Sequence, residues 1–128
     1  MKEIETRADI VQLVDGFYGR VRKDDLLGPI FEAVVQGKWD VHLEKMYNFW
    51  ETVLLARVSY KGSPFLPHMK LPVEQEHFTR WLSLFKQNLE ENFSGSKAEE
   101  ALWRAEKMAE MFYHKISYYR SKPSHPLI

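Results

Sequence analysis

Residues 40–54, DVHLEKMYNFWETVL, indicate the fold class more strongly than any other part of the sequence. Their apolar side chains recur at three- and four-residue steps, which is the spacing of an α-helix. They cover more than one stripe of that helix, so we expect it to lie between two packing surfaces. Asp40 precedes the apolar residues and is a candidate N-cap. The apolar positions are Leu43, Met46, Tyr47, Phe49, Trp50, Val53 and Leu54.

Helical spacing recurs on both sides of this segment. Before it, the apolar residues predict a helix over residues 6–22 and a short helical corner over residues 30–35. After it, the spacing predicts a helix over residues 73–89. Residues 96–99, SKAE, fit a capping box that begins a last helix. No stretch has convincing strand alternation, so we predict an all-α protein with four substantial helices and two short ones.

Composition and charge limit the class of protein. At 128 residues the chain fits a single domain, 1–128, in which residues 121–128 are expected to form a flexible tail. Eighteen Lys and Arg balance eighteen Asp and Glu, so no electrostatic footprint for nucleic acid or an anionic membrane is present. The absence of cysteine excludes disulfides and cysteine-ligated metals. Without a secretory signal or an apolar run of about 20 residues, we expect a soluble, cytoplasmic monomer.

His68 has the most unusual setting of the five histidines. It lies in residues 67–72, PHMKLP, and the prolines in residues 59–72 prevent a long helix there. One interpretation is a single axial imidazole ligand held by a stiff loop above a planar cofactor. The other is a half-buried loop histidine bonded to a backbone carbonyl. The residue alone favours the second interpretation.

Five further residues have two interpretations each. His42 and Met46 lie one helical turn apart. Either His42 lies at the mouth of a pocket with Met46 deeper inside it, or His42 is a surface histidine and Met46 an ordinary core residue. Tyr18 and Trp81 each carry a polar hydrogen on a buried stripe, which either points at a bound diatomic ligand or bonds a carbonyl or water. Phe31 is either a wedge against a flat cofactor or an ordinary core residue.

Taken in order, these segments resemble a truncated haemoglobin of the third group, over residues 4–118. Residues 17–24, FYGRVRKD, resemble the family's distal tyrosine helix, and residues 27–31, LGPIF, resemble the corner with its haem-wedging phenylalanine. Residues 39–50, WDVHLEKMYNFW, resemble the distal helix. Residues 67–72 fall where the proximal histidine lies, and residues 78–85, FTRWLSLF, match the helix with the distal tryptophan.

The resemblance implies a two-over-two helical sandwich around haem b, whose iron is ligated by His68. It implies O₂, NO, CO or peroxide as ligands, an unidentified reductase as partner, and either peroxidase or NO dioxygenase activity as a further possibility. Met46 departs from the family pattern, because a branched aliphatic residue is usual there. The implied cofactor-binding residues are Phe31, His68 and Trp81, and the implied distal residues are Tyr18, His42, Met46 and Trp81.

Two other classes of protein are compatible with parts of the sequence. A cofactor-free helical protein-interaction module would also be all-α and would be colourless. A metal–carboxylate centre in a helix bundle needs Glu-x-x-His motifs on two helices. Glu74 and His77 supply one such motif, and no second one is present.

Overall fold

The computed structural model describes residues 1–57 and 72–121, and within them the backbone forms five helices. They are α1 (Arg7–Lys23), α2 (Gly28–Val35), α3 (Trp39–Leu55), α4 (Gln75–Asn92) and α5 (Ser96–Ser121). The all-α prediction is confirmed, and each of the five begins within about two residues of its predicted start. His68, the rest of residues 58–71, and residues 122–128 lie outside the described residues.

The helices pack in two pairs. α1 packs against α3, α4 packs against α5, and α1 also lies on α4, which joins the pairs. α2 packs against α1, and α3 makes a smaller contact with α5. The largest core cluster draws on all five helices and is dominated by α1, whose fully buried residues recur at helical spacing. These are Ile10, Leu13, Val14, Phe17 and Val21.

The crossing of α1 and α4 is close because α1 has a glycine there. A Cβ placed on Gly16 would lie 2.3 Å from Asn88 Oδ1, so the backbone of α1 approaches a side chain that a larger residue would displace. Asn88 is fully buried, and its Nδ2 donates to the Leu13 carbonyl at 2.9 Å. The contact sets the position of α4 relative to α1, and α4 contains Trp81.

Two predicted helix starts were wrong in detail. α3 begins at Trp39 with Lys38 at the N-cap, so Asp40 lies in the first turn instead of capping it. α5 is capped by a residue distant in sequence: Glu3 accepts hydrogen bonds from the backbone N–H groups of Ser96 and Lys97 at 3.1 and 2.8 Å. The Ser96 hydroxyl also donates to Glu3, and the Glu99 N–H that the predicted capping box would use donates to the Gly95 carbonyl instead.

The structure does contain a capping box at the start of α1. Asp9 N–H donates to Thr6 Oγ1, and the Asp9 carboxylate accepts from the backbone N–H groups of Glu5 and Thr6. The hydrogen bond from the Glu5 N–H lowers the pKa of Asp9 to about 2, although burial acts in the opposite direction. Hydrogen bonds from Lys2 and Thr6 also lower this pKa. The ionised carboxylate is therefore stabilised in the folded chain.

This pKa predicts a loss of stability in acid. Because the pKa is lower in the folded chain than in the unfolded chain, the contribution is complete above the ordinary value of 3.8 and falls as the pH drops towards about 2. We expect Asp9→Asn to reduce the free energy of unfolding by up to about 2 kcal/mol at pH 7 and by much less at pH 2. Urea unfolding of both proteins at several pH values measures this. An equal effect of Asp9→Asn at both pH values would contradict the assignment.

Candidate functional site

An apolar cleft lies between the α1–α2 corner and the pair α4–α5. Its walls are almost entirely apolar and aromatic, and it contains about 490 Å³ of atom-free space, part of it open to solvent. Concave sites lined mainly by hydrophobic and aromatic side chains are typical of small-molecule and cofactor binding. The lining residues are Leu27, Phe31, Val73, His77, Phe78, Trp81, Met108, Ala109 and Phe112.

Tyr18 and Trp81 both pack against one phenylalanine ring, that of Phe17. The ring centroid of Phe17 is 4.9 Å from that of Tyr18 and 5.3 Å from that of Trp81, both in edge-to-face geometry. Tyr18 is buried, and this burial raises the pKa of its phenol, which keeps the hydroxyl protonated as a donor. Within residues 1–57 and 72–121, neither Tyr18 Oη nor Trp81 Nε1 donates to another residue. Both hydrogens are thus available to a ligand.

His42 lies directly against Tyr18. The two ring centroids are 5.0 Å apart and the rings are perpendicular. The His42 Nε2 atom is shielded from solvent, although the residue as a whole is only half-buried. Met46, one turn further along α3, is half-buried and packs against the main core. The Phe31 ring is 5.9 Å from Tyr18 and also lines the cleft, so it connects the two groups of residues.

An ion pair ties the end of α1 to α4 beside Trp81. Arg80 Nη1 lies 2.6 Å from Asp24 Oδ1, while the other Asp24 oxygen accepts from the backbone N–H groups of Leu26 and Leu27. Although burial opposes ionisation of Asp24, the Leu27 N–H and the Arg80 guanidinium hold the pKa of that carboxyl below its usual value. The charged pair therefore holds the C-terminal end of α1 against α4, next to Trp81.

Five of the six predicted site residues fall in this region of the described structure. Phe31 and Trp81 line the cleft, Tyr18 and His42 form a contacting pair beside it, and Met46 lies next along α3. The sixth, His68, lies outside the described residues, so its role stays a prediction.

The prediction missed part of the cleft wall. Met108 and Phe112 line the cleft, but their spacing in the sequence indicates only a buried face of α5. His77 was considered only as part of a metal motif, although it lies one turn before Trp81 on α4. Its Nδ1 instead accepts the Glu74 backbone N–H at 2.8 Å, which makes this pair a helix cap. Within residues 1–57 and 72–121, no three carboxylate or imidazole groups are placed to hold a metal ion.

Comparison with known proteins identifies the family. The profile of the family described as bacterial-like globin matches residues 2–117. The group 3 truncated haemoglobin of Campylobacter jejuni is 35% identical over 121 residues, covering 91% of this chain and 95% of that protein. This chain belongs to the bacterial-like globins, as a group III truncated haemoglobin. The crystal structure of a group III truncated haemoglobin from Campylobacter jejuni matches this globin with a TM-score of 0.84 and 36% identity, covering 91% of this chain and 95% of that one.

The family implies a haem cofactor, and the described part of the globin fits one. A flat, largely apolar group needs aromatic and aliphatic walls, which Phe31, Phe78 and Phe112 supply together with the Trp81 ring. A diatomic ligand bound beside it needs hydrogen-bond donors, and Tyr18 and Trp81 have the two uncommitted hydrogens described above. None of the globin's helices within residues 1–57 and 72–121 is long and apolar enough to cross a bilayer.

Proposed function

We propose that this globin binds haem b in the apolar cleft and holds O₂ and other diatomic ligands tightly. The observation that carries the proposal is the pairing of an apolar cleft with two buried or half-buried donors, Tyr18 and Trp81, whose hydrogens no other described residue accepts. In a core that used these residues only for packing, each hydrogen would bond a carbonyl or water, and within residues 1–57 and 72–121 no carbonyl accepts either hydrogen. Their arrangement instead suits a ligand that brings its own acceptor.

Separate residues hold the cofactor and its ligand. The haem would be held by the apolar wall of the cleft, at Phe31, Phe78, Phe112 and the Trp81 ring. His68, in the proline-flanked segment, would ligate its iron. When bound, haem would supply an iron that can bind a diatomic molecule. The apolar walls exclude water, which strengthens each hydrogen bond formed inside the cleft.

Tyr18 and Trp81 distinguish ligands by charge. O₂ takes up negative charge on binding, so a hydrogen bond from each donor stabilises it, whereas CO takes up little and gains little. Tight binding makes delivery slow, which disfavours bulk O₂ transport. We extend the proposal to peroxide or NO detoxification, in which the two donors hold the oxidant and an unidentified reductase supplies electrons. We also propose that the protein is a cytoplasmic monomer with a single domain.

The absorption spectrum of the purified full-length protein tests haem binding. We expect a Soret band that shifts when CO is added to the reduced protein. In His68→Ala the band should be lost or strongly reduced, because the iron loses its protein ligand. The control is His114→Ala, which removes an exposed histidine on α5 and should leave the spectrum unchanged.

Two outcomes would contradict the proposal. A colourless protein that takes up no added haem would favour the cofactor-free interaction module instead. An unchanged band in His68→Ala would show that another residue ligates the iron.

A further inference from the structure

We propose that Glu32 and Arg22 are positioning residues for the Tyr18–His42 pair, and that they act by holding the indole of Trp39. None of these three residues has a role in the proposed function, and they come from three different helices. The inference deepens that function and rests on it, because the Tyr18–His42 pair faces the ligand only if the cleft binds haem. We call Arg22, Glu32 and Trp39 the indole clamp.

The indole is held at its edge and on its face. Trp39 Nε1 donates to Glu32 Oε1 at 2.5 Å, and Trp39 itself is only 6% exposed. The Arg22 guanidinium carbon lies 4.5 Å from the centroid of the indole, which is cation–π distance. Arg22 Nε is also 3.6 Å from Glu32 Oε1. Each member of the indole clamp therefore contacts the other two, and together they join α1, α2 and α3.

The held indole in turn restricts the imidazole. The Trp39 and His42 rings are perpendicular with centroids 5.7 Å apart, and Trp39 precedes His42 by three residues on α3. The Tyr18 ring lies 5.0 Å from His42 and 6.0 Å from Trp39, so the three rings contact one another pairwise. Tyr18 is fixed in the buried core of α1. Movement of Trp39 would therefore remove one of the two rings against which His42 packs, and the indole clamp opposes that movement.

The two charged members contribute unequally. The Arg22 and Glu32 side chains are 48% and 49% exposed, so water and salt screen the ion pair between them. The bond from Trp39 Nε1 joins a buried donor to a charged acceptor, and such bonds are stronger than neutral ones. Glu32 therefore carries most of the clamping through this one hydrogen bond, and Arg22 supports the ring from its face.

Two substitutions of Glu32 separate the hydrogen bond from the charge. Glu32→Ala removes the acceptor, whereas Glu32→Gln keeps an amide oxygen that can accept from Trp39. The matched control, Glu106→Ala, deletes the same charge on the exposed side of α5. The readouts, on the full-length protein, are NMR hydrogen exchange of the Trp39 indole, the resonances of the His42 ring, and the rate of CO association after flash photolysis.

We expect Glu32→Ala to accelerate exchange of the indole hydrogen by about tenfold to a hundredfold, since the bond to a charged acceptor is lost. The His42 resonances should shift and CO association should change by severalfold. Glu32→Gln should lie between Glu32→Ala and the parent protein, and Glu106→Ala should match the parent in all three readouts.

Either of two results would overturn the inference. Unchanged indole exchange in Glu32→Ala would show that Glu32 does not hold Trp39. Faster exchange with unchanged His42 resonances and CO association would show that Trp39 does not position His42. If the parent protein takes up no haem, the proposed function fails instead, while the exchange and His42 measurements still report on the clamp.

Discussion

The variants Tyr18→Phe and Trp81→Phe should each release O₂ at least about tenfold faster than the parent globin, since each loses a hydrogen bond worth roughly 1.5–3 kcal/mol to a charged acceptor. Tyr18→Phe removes only the hydroxyl, whereas Trp81→Phe removes the indole N–H and also replaces the indole by a smaller ring that packs less against Phe17 and Phe85. Stopped-flow measurement of O₂ dissociation gives the rate directly. CO dissociation from the same variants should change much less, because CO carries little charge.

The double variant tests whether the two donors act together. If their contributions add, Tyr18→Phe combined with Trp81→Phe should raise the O₂ dissociation rate by about 10²–10⁴-fold. Both rings contact Phe17, so a departure from additivity is informative about coupling through that ring. Tyr113→Phe, which removes a hydroxyl from α5, is the control. Unchanged O₂ dissociation in both single variants would rule out these residues as the ligand donors.

The helices could be predicted from the sequence because each one is indicated by the spacing of its own apolar residues. Apolar side chains at three- and four-residue steps occur in every described helix, and the observed starts lie close to the predicted ones. The caps were less predictable. Glu3 caps a helix that begins more than 90 residues later, and no local pattern around Ser96 reveals that contact.

The residues of the candidate site also differ in how far local sequence patterns indicate them. Tyr18, Phe31, His42 and Trp81 were predicted as site residues because the order of several motifs resembles a known family, although each residue alone had an ordinary core interpretation; the structure places them in one region. The indole clamp gave no such signal. It depends on half-exposed charges from α1 and α2 meeting a buried indole of α3, and such long-range contacts have no periodicity that a sequence displays.

Phe85 connects the stability of the globin to Trp81, one of the two proposed ligand donors. It is fully buried, and it stacks on Trp50 of α3 and on Trp81, with centroids 5.2 and 5.7 Å away. The Phe17 ring approaches it edge-on at 5.3 Å. A cavity at this position would remove packing from three helices at once. It would also remove the ring against which the Trp81 indole is stacked.

We expect Phe85→Ala to reduce the free energy of unfolding by about 3–5 kcal/mol, the usual cost of emptying a buried phenylalanine site. This is a large part of the roughly 5–15 kcal/mol that stabilises a typical domain. Urea unfolding measures it, with Trp103→Ala on the exposed side of α5 as a control that should change stability by less than about 0.5 kcal/mol.

Phe85→Leu separates volume from ring stacking at the same position. Because Leu fills most of the space, its cost should be well below that of Phe85→Ala. It still removes the stacked face beside Trp81, so O₂ dissociation should be faster in Phe85→Leu even though Phe85 carries no polar hydrogen. A parent-like O₂ dissociation rate in Phe85→Leu would mean that Phe17 and the Arg80–Asp24 pair hold the indole without Phe85. The stability of α4 and the geometry of its donor would then be independent properties of the fold.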